Sequence, residues 1–350
     1  MSDQIGYAVV DLGRARGAVG PAFAQVANSR LVAVVGATRD DAEALARESN
    51  TAAYPSSEYR QCLERTDVHA VYLVLPNVMR ADYAVEAARA GVHVLSEAPM
   101  AVTADECRRV IRVCQKAHVK LMVVSEVQFQ PAHVEARALT RRGEIGALKT
   151  MSADFAIRID DAADLRLQRR MGGGTVYELG IACIGAARAL FGAEPAQVMA
   201  MTARHLPGRL AGDVDEGTVA LVRFPDEQLA HFHTSFGEEP ISVLTILGEA
   251  GYIRLAPAFP RAGEIEMDIV RGGRRETRRM PTTNVVTPTL EYFSDCILHD
   301  RTPEPDGIDG LQEVRIVEAI YRSARDGRPV TLPRLTRADD RPPEELRRHA

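Results

Sequence analysis

The sequence is poor in the features that mark specialised classes of protein. There is no basic excess: its formal net charge is -5, so nucleic acid is not the expected ligand. No apolar run approaches the ~18–20 residues of a membrane span. The opening MSDQIGYAVV lacks a charged region followed by an apolar one and a cleavage site, so no signal peptide is expected and the setting is read as cytoplasmic. The five cysteines (62, 107, 114, 183, 296) include no CxxC pair and read as free, buried thiols in a reducing compartment. The histidines show no HxxxH or HExxH spacing, so no structural metal site is expected.

What is present is ordinary globular material, 46% apolar and 26% charged over 350 residues. That length is large for one core and suits two domains. In the first part, apolar runs alternate with helical stretches. IGYAVV (5–10), LVAVVGA (31–37), VYLVLP (71–76), HVL (93–95) and LMVVSE (121–126) read as strands. Between the first two, Gly13 to Asn28 is a glycine-rich turn entering a helix, which makes a βαβ unit. Asp40 to Glu48 is helical in composition, Ser56 or Ser57 suits an N-cap, and Ala81 to Ala90 is a helix closed by Gly91. Thr103 to Glu106 fits a capping box ahead of Cys107, Val110, Ile111 and Cys114 on one helical face. Strands too apolar to be half exposed argue for a parallel, doubly wound sheet.

Near Val127 the texture changes. A helix over Pro131 to Arg141 precedes alternating runs such as TMSADFAIRI, GTVALVRF, LAHFHTSF and ISVLTIL. These suit an antiparallel sheet with one face covered. One long helix, Thr175 to Phe191, interrupts them, and helical stretches at Leu290 to Leu298 and Gly310 to Arg325 follow. The fold class expected is α/β. An N-terminal Rossmann-type doubly wound parallel sheet (1–126) is followed by a C-terminal α+β domain with an open, mostly antiparallel sheet (127–333). The charged tail 334–350, with Pro342-Pro343, is expected to be disordered.

The turn Ser96-Glu97-Ala98-Pro99 lies at the carboxyl end of a strand, where open α/β sheets bind ligands. It resembles the Glu-Lys-Pro turn of the glucose–fructose oxidoreductase, inositol dehydrogenase and MocA family. LPN (75–77), YAVEAARAG (83–91), EIGALK (144–149), GGGTVYELGI (172–181) and DVDEGTVALVRFP (213–225) resemble its sugar-oxidoreductase branch over roughly residues 5–332. The resemblance implies a nicotinamide dinucleotide over the first domain and a sugar or polyol against the sheet of the second. It also implies a homo-oligomer through that sheet, though a hetero-partner stays open.

The functional positions depart from the pattern. The three glycine places of the phosphate turn are Asp11, Gly13 and Arg16, with Leu12 and Arg14 between them. A carboxylate ~4–5 Å from a diphosphate repels it by several kcal/mol at an effective dielectric near 20. The alternative is a turn shifted to Gly13, Gly17 and Gly20, with Arg14 and Arg16 offsetting Asp11. At the end of the second strand Thr38 and Arg39 suit a 2′-phosphate, so NADP is slightly preferred over NAD if a dinucleotide binds; Arg39 reads equally as a solvated residue. Leu75, Pro76, Asn77 and Glu97 complete the cofactor candidates.

In the family the lysine of the central turn holds the reacting oxygen; here Ala98 stands in its place. An acid and, four residues on, a histidine or tyrosine face the substrate; here they are Glu178 and Ala182. Tyr177 and the glycines 172–174, which allow close approach of a ligand, remain. Ser125-Glu126 stands where the branch usually has tyrosine and arginine, and Val78 and Arg80 where it often has histidines. Arg166 and Arg169, in the loop Asp160 to Arg170, read as surface charge or as partners of an acidic group.

Three readings follow. The first is a ligand-binding, regulatory or partner subunit without standard hydride transfer. The second is an active NAD(P)-dependent oxidoreductase on a sugar, polyol or related molecule, its acid–base group relocated to Glu97, Glu178, His133 or His205. The third is a non-redox lyase or isomerase using Glu178 and Glu97 as paired carboxylates.

Overall fold

The computed structural model describes residues 4–12, 19–204, 213–260 and 262–333. They divide into two compact units. The first six strands are β1 (Ile5–Asp11), β2 (Ser29–Gly36), β3 (Ala52–Pro55), β4 (Ala70–Val74), β5 (His93–Ser96) and β6 (Leu121–Val123). They form one parallel sheet in the order β3-β2-β1-β4-β5-β6. β1 and β4 are neighbours although two strands separate them in the chain. The order reverses there, and doubly wound sheets bind nucleotides at the carboxyl end of that step.

β1, β4 and β6 are buried along their whole length, as strands covered on both faces must be. One covering layer includes the helices Asn77–Arg89 and Ala104–Lys116, whose Ala84, Ala88, Cys107 and Val110 pack with Val10, Val71 and Val94. Thr103 caps the second helix with both bonds of the box: its hydroxyl accepts from Glu106 N, and Glu106 accepts from Thr103 N. The other layer holds Tyr7, Phe23, Tyr72, Leu290 and Phe293.

Leu290 and Phe293 mark a departure from the expected boundary. Segment 283–314 belongs to the first unit, together with 170–172. The helix Val286–Leu298 lays its apolar side over β1 and β2, and Ser294 Oγ closes a buried chain with Tyr7 Oη (2.8 Å) and Ser29 Oγ (2.7 Å). Two smaller readings also change. Ser56 opens a 3₁₀ turn without capping it, and its hydroxyl donates to Ala37 O instead. The strand expected over 121–126 ends at Val123, and Glu126 begins a short helix.

The second unit is built on β7 (Leu148–Arg158), β8 (Gln197–Ala203), β9 (Gly217–Arg223), β10 (Leu229–Ser235), β11 (Gly237–Gly248), β12 (Gly251–Ala256), β13 (Glu264–Arg271), β14 (Arg274–Pro281) and β15 (Val330–Thr331). Among the described residues their order is β14-β13-β12-β11-β7-β10-β9-β8-β15, and only β7 and β10 run parallel. One face is buried by Met151, Ala153, Ala220, Val222, Phe232 and Ile246. The other leaves Met199, Met201, Val219, Leu221 and Leu229 exposed.

The expected helix Thr175 to Phe191 is two elements, a π-turn at Val176–Gly180 and an α-helix at Ile181–Phe191. By length and composition the stretch Arg169–Phe191 would suffice to cross a membrane, but Val176, Leu179, Cys183 and Ile184 are buried within the fold. All five cysteines are free and buried. The tail 334–350 lies outside the described residues.

Candidate functional site

In the first unit, three chain segments meet at the carboxyl ends of neighbouring strands. Asp11 ends β1 opposite Val74 of β4, and Leu73 of β4 pairs with Ser96 of β5. Leu75, Pro76 and Asn77 therefore leave the sheet beside Glu97. Asp11 is itself buried. Gly13, Arg14 and Arg16 of the phosphate turn lie outside the described residues. Leu12 is half-buried against the apolar layer.

Glu97 carries a partner that the sequence did not suggest. The buried Tyr72 hydroxyl donates to Glu97 Oε1. Burial, and then the Glu97 charge, hold the phenol well above the usual tyrosine range, so Tyr72 stays protonated and Glu97 is the acceptor. Beside it Ala98 packs onto the apolar layer. A methyl there joins the core, where a lysine would extend an amine.

The turn is held from below by Arg80, only 3% exposed. Its Nε donates to Leu75 O at 2.9 Å, and its Nη1 to Pro99 O at 2.7 Å and Glu97 O at 3.3 Å. One guanidinium thus ties the segment leaving β4 to the segment leaving β5. Asn77 is also buried, and its amide donates to Gly172 O at 2.8 Å. At the end of β2, Thr38 caps the helix Arg39–Ser49 by accepting from Asp41 N. Arg39 pairs with Glu58 at 2.5 Å and donates to Ala53 O at 3.2 Å.

In the second unit the π-turn presents Tyr177 and Glu178, both half-buried. In a π-turn the repeat is i,i+5, so the i,i+4 relation expected for Glu178 and Ala182 does not apply there. The ring of Tyr177 stacks on Tyr321, centroids 5.6 Å apart. Gly173 and Gly174 are required by the protein's own packing. A Cβ at Gly173 would lie 2.2 Å from Arg166 O, and one at Gly174 would lie 2.4 Å from Tyr321 Oη. Arg166 is forked onto Asp164 through Nε (2.9 Å) and Nη2 (2.6 Å). Arg169 donates to Asp213 O.

His133 is held in the core of the second unit. It is buried, bonded to Ala258 O at 2.7 Å and stacked on Phe259, and burial holds its pKa below the ordinary value. His205 lies outside the described residues.

The two halves of the chain match two domain models of one family. Residues 5–125 match the oxidoreductase family's NAD-binding Rossmann fold, and residues 133–254 match the GFO/IDH/MocA C-terminal domain. Over 303 residues the chain is 31% identical to D-xylose 1-dehydrogenase (NADP(+)) 2 of Haloferax volcanii, covering 85% of this chain and 90% of that protein. The chain belongs to the GFO/IDH/MocA oxidoreductase family. Among solved structures, the aldose–aldose oxidoreductase of Caulobacter crescentus, in complex with glycerol, superposes with a TM-score of 0.89 at 32% identity, covering 94% of this chain and all (100%) of that one. A 3-ketoreductase from Actinomadura kijaniata, in complex with NADP and TDP-benzene, superposes with a TM-score of 0.83 at 25% identity, covering 91% and 98%.

Sequence reasoning missed Tyr72, the task of Arg80, and the pair Asp215 and Tyr321 treated below. Arg80 left one signal, a charge in the otherwise apolar opening of a helix, LPNVMRA.

Proposed function

We propose that this protein is an active nicotinamide-dependent oxidoreductase acting on a hydroxyl or carbonyl carbon of a sugar or polyol. The observation that carries the reading is the Tyr72–Glu97 hydrogen bond at the carboxyl end of β5, beside Ala98. A carboxylate backed by a protonated phenol accepts and returns a proton, which is the service a lysine at position 98 would give. In the oxidative direction the alcohol C–H electron pair leaves as hydride, and the O–H proton passes to Glu97. The dinucleotide, when bound, supplies the hydride acceptor. Asp11, Leu75, Pro76, Asn77 and Glu97 flank the place at which doubly wound sheets hold it. Relatives named for NADP and for aldoses or xylose support the same chemistry.

NADP is the slightly preferred dinucleotide on the strength of Thr38 and Arg39. Tyr177 and Glu178 are the substrate-side candidates in the second unit, and the exposed apolar face of β8, β9 and β10 is the oligomer surface.

One observation favours a second reading, a ligand-binding or regulatory subunit: both family positions that handle protons are methyl groups, Ala98 and Ala182. The test mixes purified protein with NADP⁺ and D-xylose, then with other aldoses and glycerol, and follows nicotinamide absorbance. Turnover that falls roughly 10²–10⁴-fold in Glu97→Gln carries the proposal. An absence of both turnover and NADPH binding hands the case to the second reading. Ala98→Lys is the informative companion, because a gain in turnover from that one change would show that the rest of the site is competent.

A further inference from the structure

Behind the π-turn lies a buried carboxylate, Asp215. Asp215 Oδ2 accepts Thr175 N–H at 3.1 Å, the Thr175 hydroxyl, and the Thr218 hydroxyl at 2.8 Å. Its Oδ1 accepts the Tyr321 hydroxyl at 2.8 Å. Four donors thus converge on one carboxyl group, three on Oδ2 and one on Oδ1. Thr234 adds a further bond by donating to Thr175 Oγ1 at 3.0 Å.

Three of these bonds act directly on the turn that presents Tyr177 and Glu178. Thr175, held by backbone and hydroxyl, is the residue that opens the π-turn. Tyr321, held by its hydroxyl, supplies the ring on which Tyr177 stacks. Gly174 adopts φ 131°, and a Cβ there would lie 2.8 Å from Asp215 Oδ1, so the chain passes directly over the carboxylate.

We propose that Asp215 is a positioning residue: through Thr175 and Tyr321 it fixes the orientation of Tyr177 and Glu178. The proposal rests on the reading above that these two side chains face substrate. π-Turns break the α-helical ladder and are frequent at functional sites. This one is pinned by a buried hydrogen-bond network, which is rigid because each member satisfies the next.

The experiment uses the full-length protein with Asp215→Asn and Tyr321→Phe. The first keeps the shape but points an amide N–H₂ at hydroxyl and N–H donors, and the second removes one hydroxyl and keeps the stacked ring. Three quantities are read: hydrogen exchange of peptides over 174–182, the Kd for NADPH, and kcat and KM for D-xylose with NADP⁺. In Asp215→Asn, exchange over 174–182 is expected to rise about tenfold, since loss of local protection is a local opening free energy, while β12, β13 and β14, which carry no member of the network, keep their rates. NADPH affinity is expected to hold within about twofold, and kcat to fall about 10²-fold, the scale of an ångström of misplacement. Tyr321→Phe is expected to show the same pattern more weakly. Unchanged exchange over 174–182, or an equal rise in the three strands, overturns the proposal. If the wild-type protein does not turn over D-xylose, the oxidoreductase reading fails for that probe, and the exchange pattern alone decides the role of Asp215.

Discussion

Replacing Arg80 by methionine tests how the first unit's turn is held. Methionine keeps the unbranched stem and fills much of the volume, so the change isolates the guanidinium. Two of its contacts are short and charge-assisted, to Leu75 O at 2.9 Å and to Pro99 O at 2.7 Å; the third, to Glu97 O at 3.3 Å, is weak. Loss of the donor leaves two buried carbonyls unsatisfied at about 1–3 kcal/mol each. Relief from burying a charge offsets part of this, so a net cost of about 3 kcal/mol is expected. At roughly 2–4 °C per kcal/mol for domains of 150–250 residues, the first unit's transition should fall by roughly 6–12 °C. Arg80→Lys should fall between the two, because an ammonium is a point donor and does not span both carbonyls. The same carbonyls belong to the segments leaving β4 and β5, so NADPH should bind Arg80→Met at least about tenfold more weakly, or 1.4 kcal/mol. Calorimetry for melting and nicotinamide fluorescence for binding give both quantities. A melting point within about a degree of wild type, with unaltered NADPH affinity, would refute the reasoning.

Three further outcomes are expected. His93, whose Nδ1 accepts Lys120 N–H at 2.9 Å, is held by burial and then by the Lys120 charge down to about 4 from 6.5. Between those values the unfolded chain takes up a proton that the folded chain refuses. The stability it contributes is therefore complete above about pH 6.5 and lost toward pH 4, by up to about 1.4 kcal/mol per pH unit; urea titrations at stepped pH should show a shallower slope for His93→Asn. Glu58→Gln frees Arg39 from an exposed pair worth about 0.2–1 kcal/mol, so the NADPH-to-NADH affinity ratio should rise by up to about fivefold, and an unchanged ratio would remove Arg39 from the cofactor site. Leu221→Arg puts a charge in the middle of the exposed apolar face of β8, β9 and β10; light scattering after gel filtration should report a smaller particle than wild type, and equal masses would show that this face is not an interface.

The parts of the fold that were legible in the sequence are those whose signals are local. Thr103 and Glu106 sit at the spacing a capping box needs, and both bonds form. Pro131 opens its helix at the position where a missing N–H costs nothing, and Gly192 closes another at φ 63°. The place of segment 283–314 was not legible. Leu290 and Phe293 say that their helix needs apolar cover, but pattern alone does not say which sheet supplies it. The π-turn was equally silent, since one extra residue in a helical repeat has no composition of its own. The tasks of Arg80 and Asp215 were not legible for a third reason. A charged residue is read as surface by default, and both are buried because carbonyls or hydroxyls a few residues, or more than a hundred residues, away satisfy them.

The substitution at 98 therefore carries less weight than the sequence alone suggested. Had the turn lost its use with its lysine, an apolar side chain at position 80 would fill the space without the several kcal/mol that desolvating a guanidinium costs. Arg80 instead remains buried and bonded to three carbonyls around Ala98. Tyr72 likewise holds a carboxylate with a phenol kept protonated by burial, although a phenylalanine would pack the same volume with no polar group to satisfy. Both arrangements spend stability on a polar geometry at the carboxyl end of β5. A turn that merely connects β5 to the following helix needs neither, whereas a turn that must hold a proton acceptor at a fixed place beside a dinucleotide needs both.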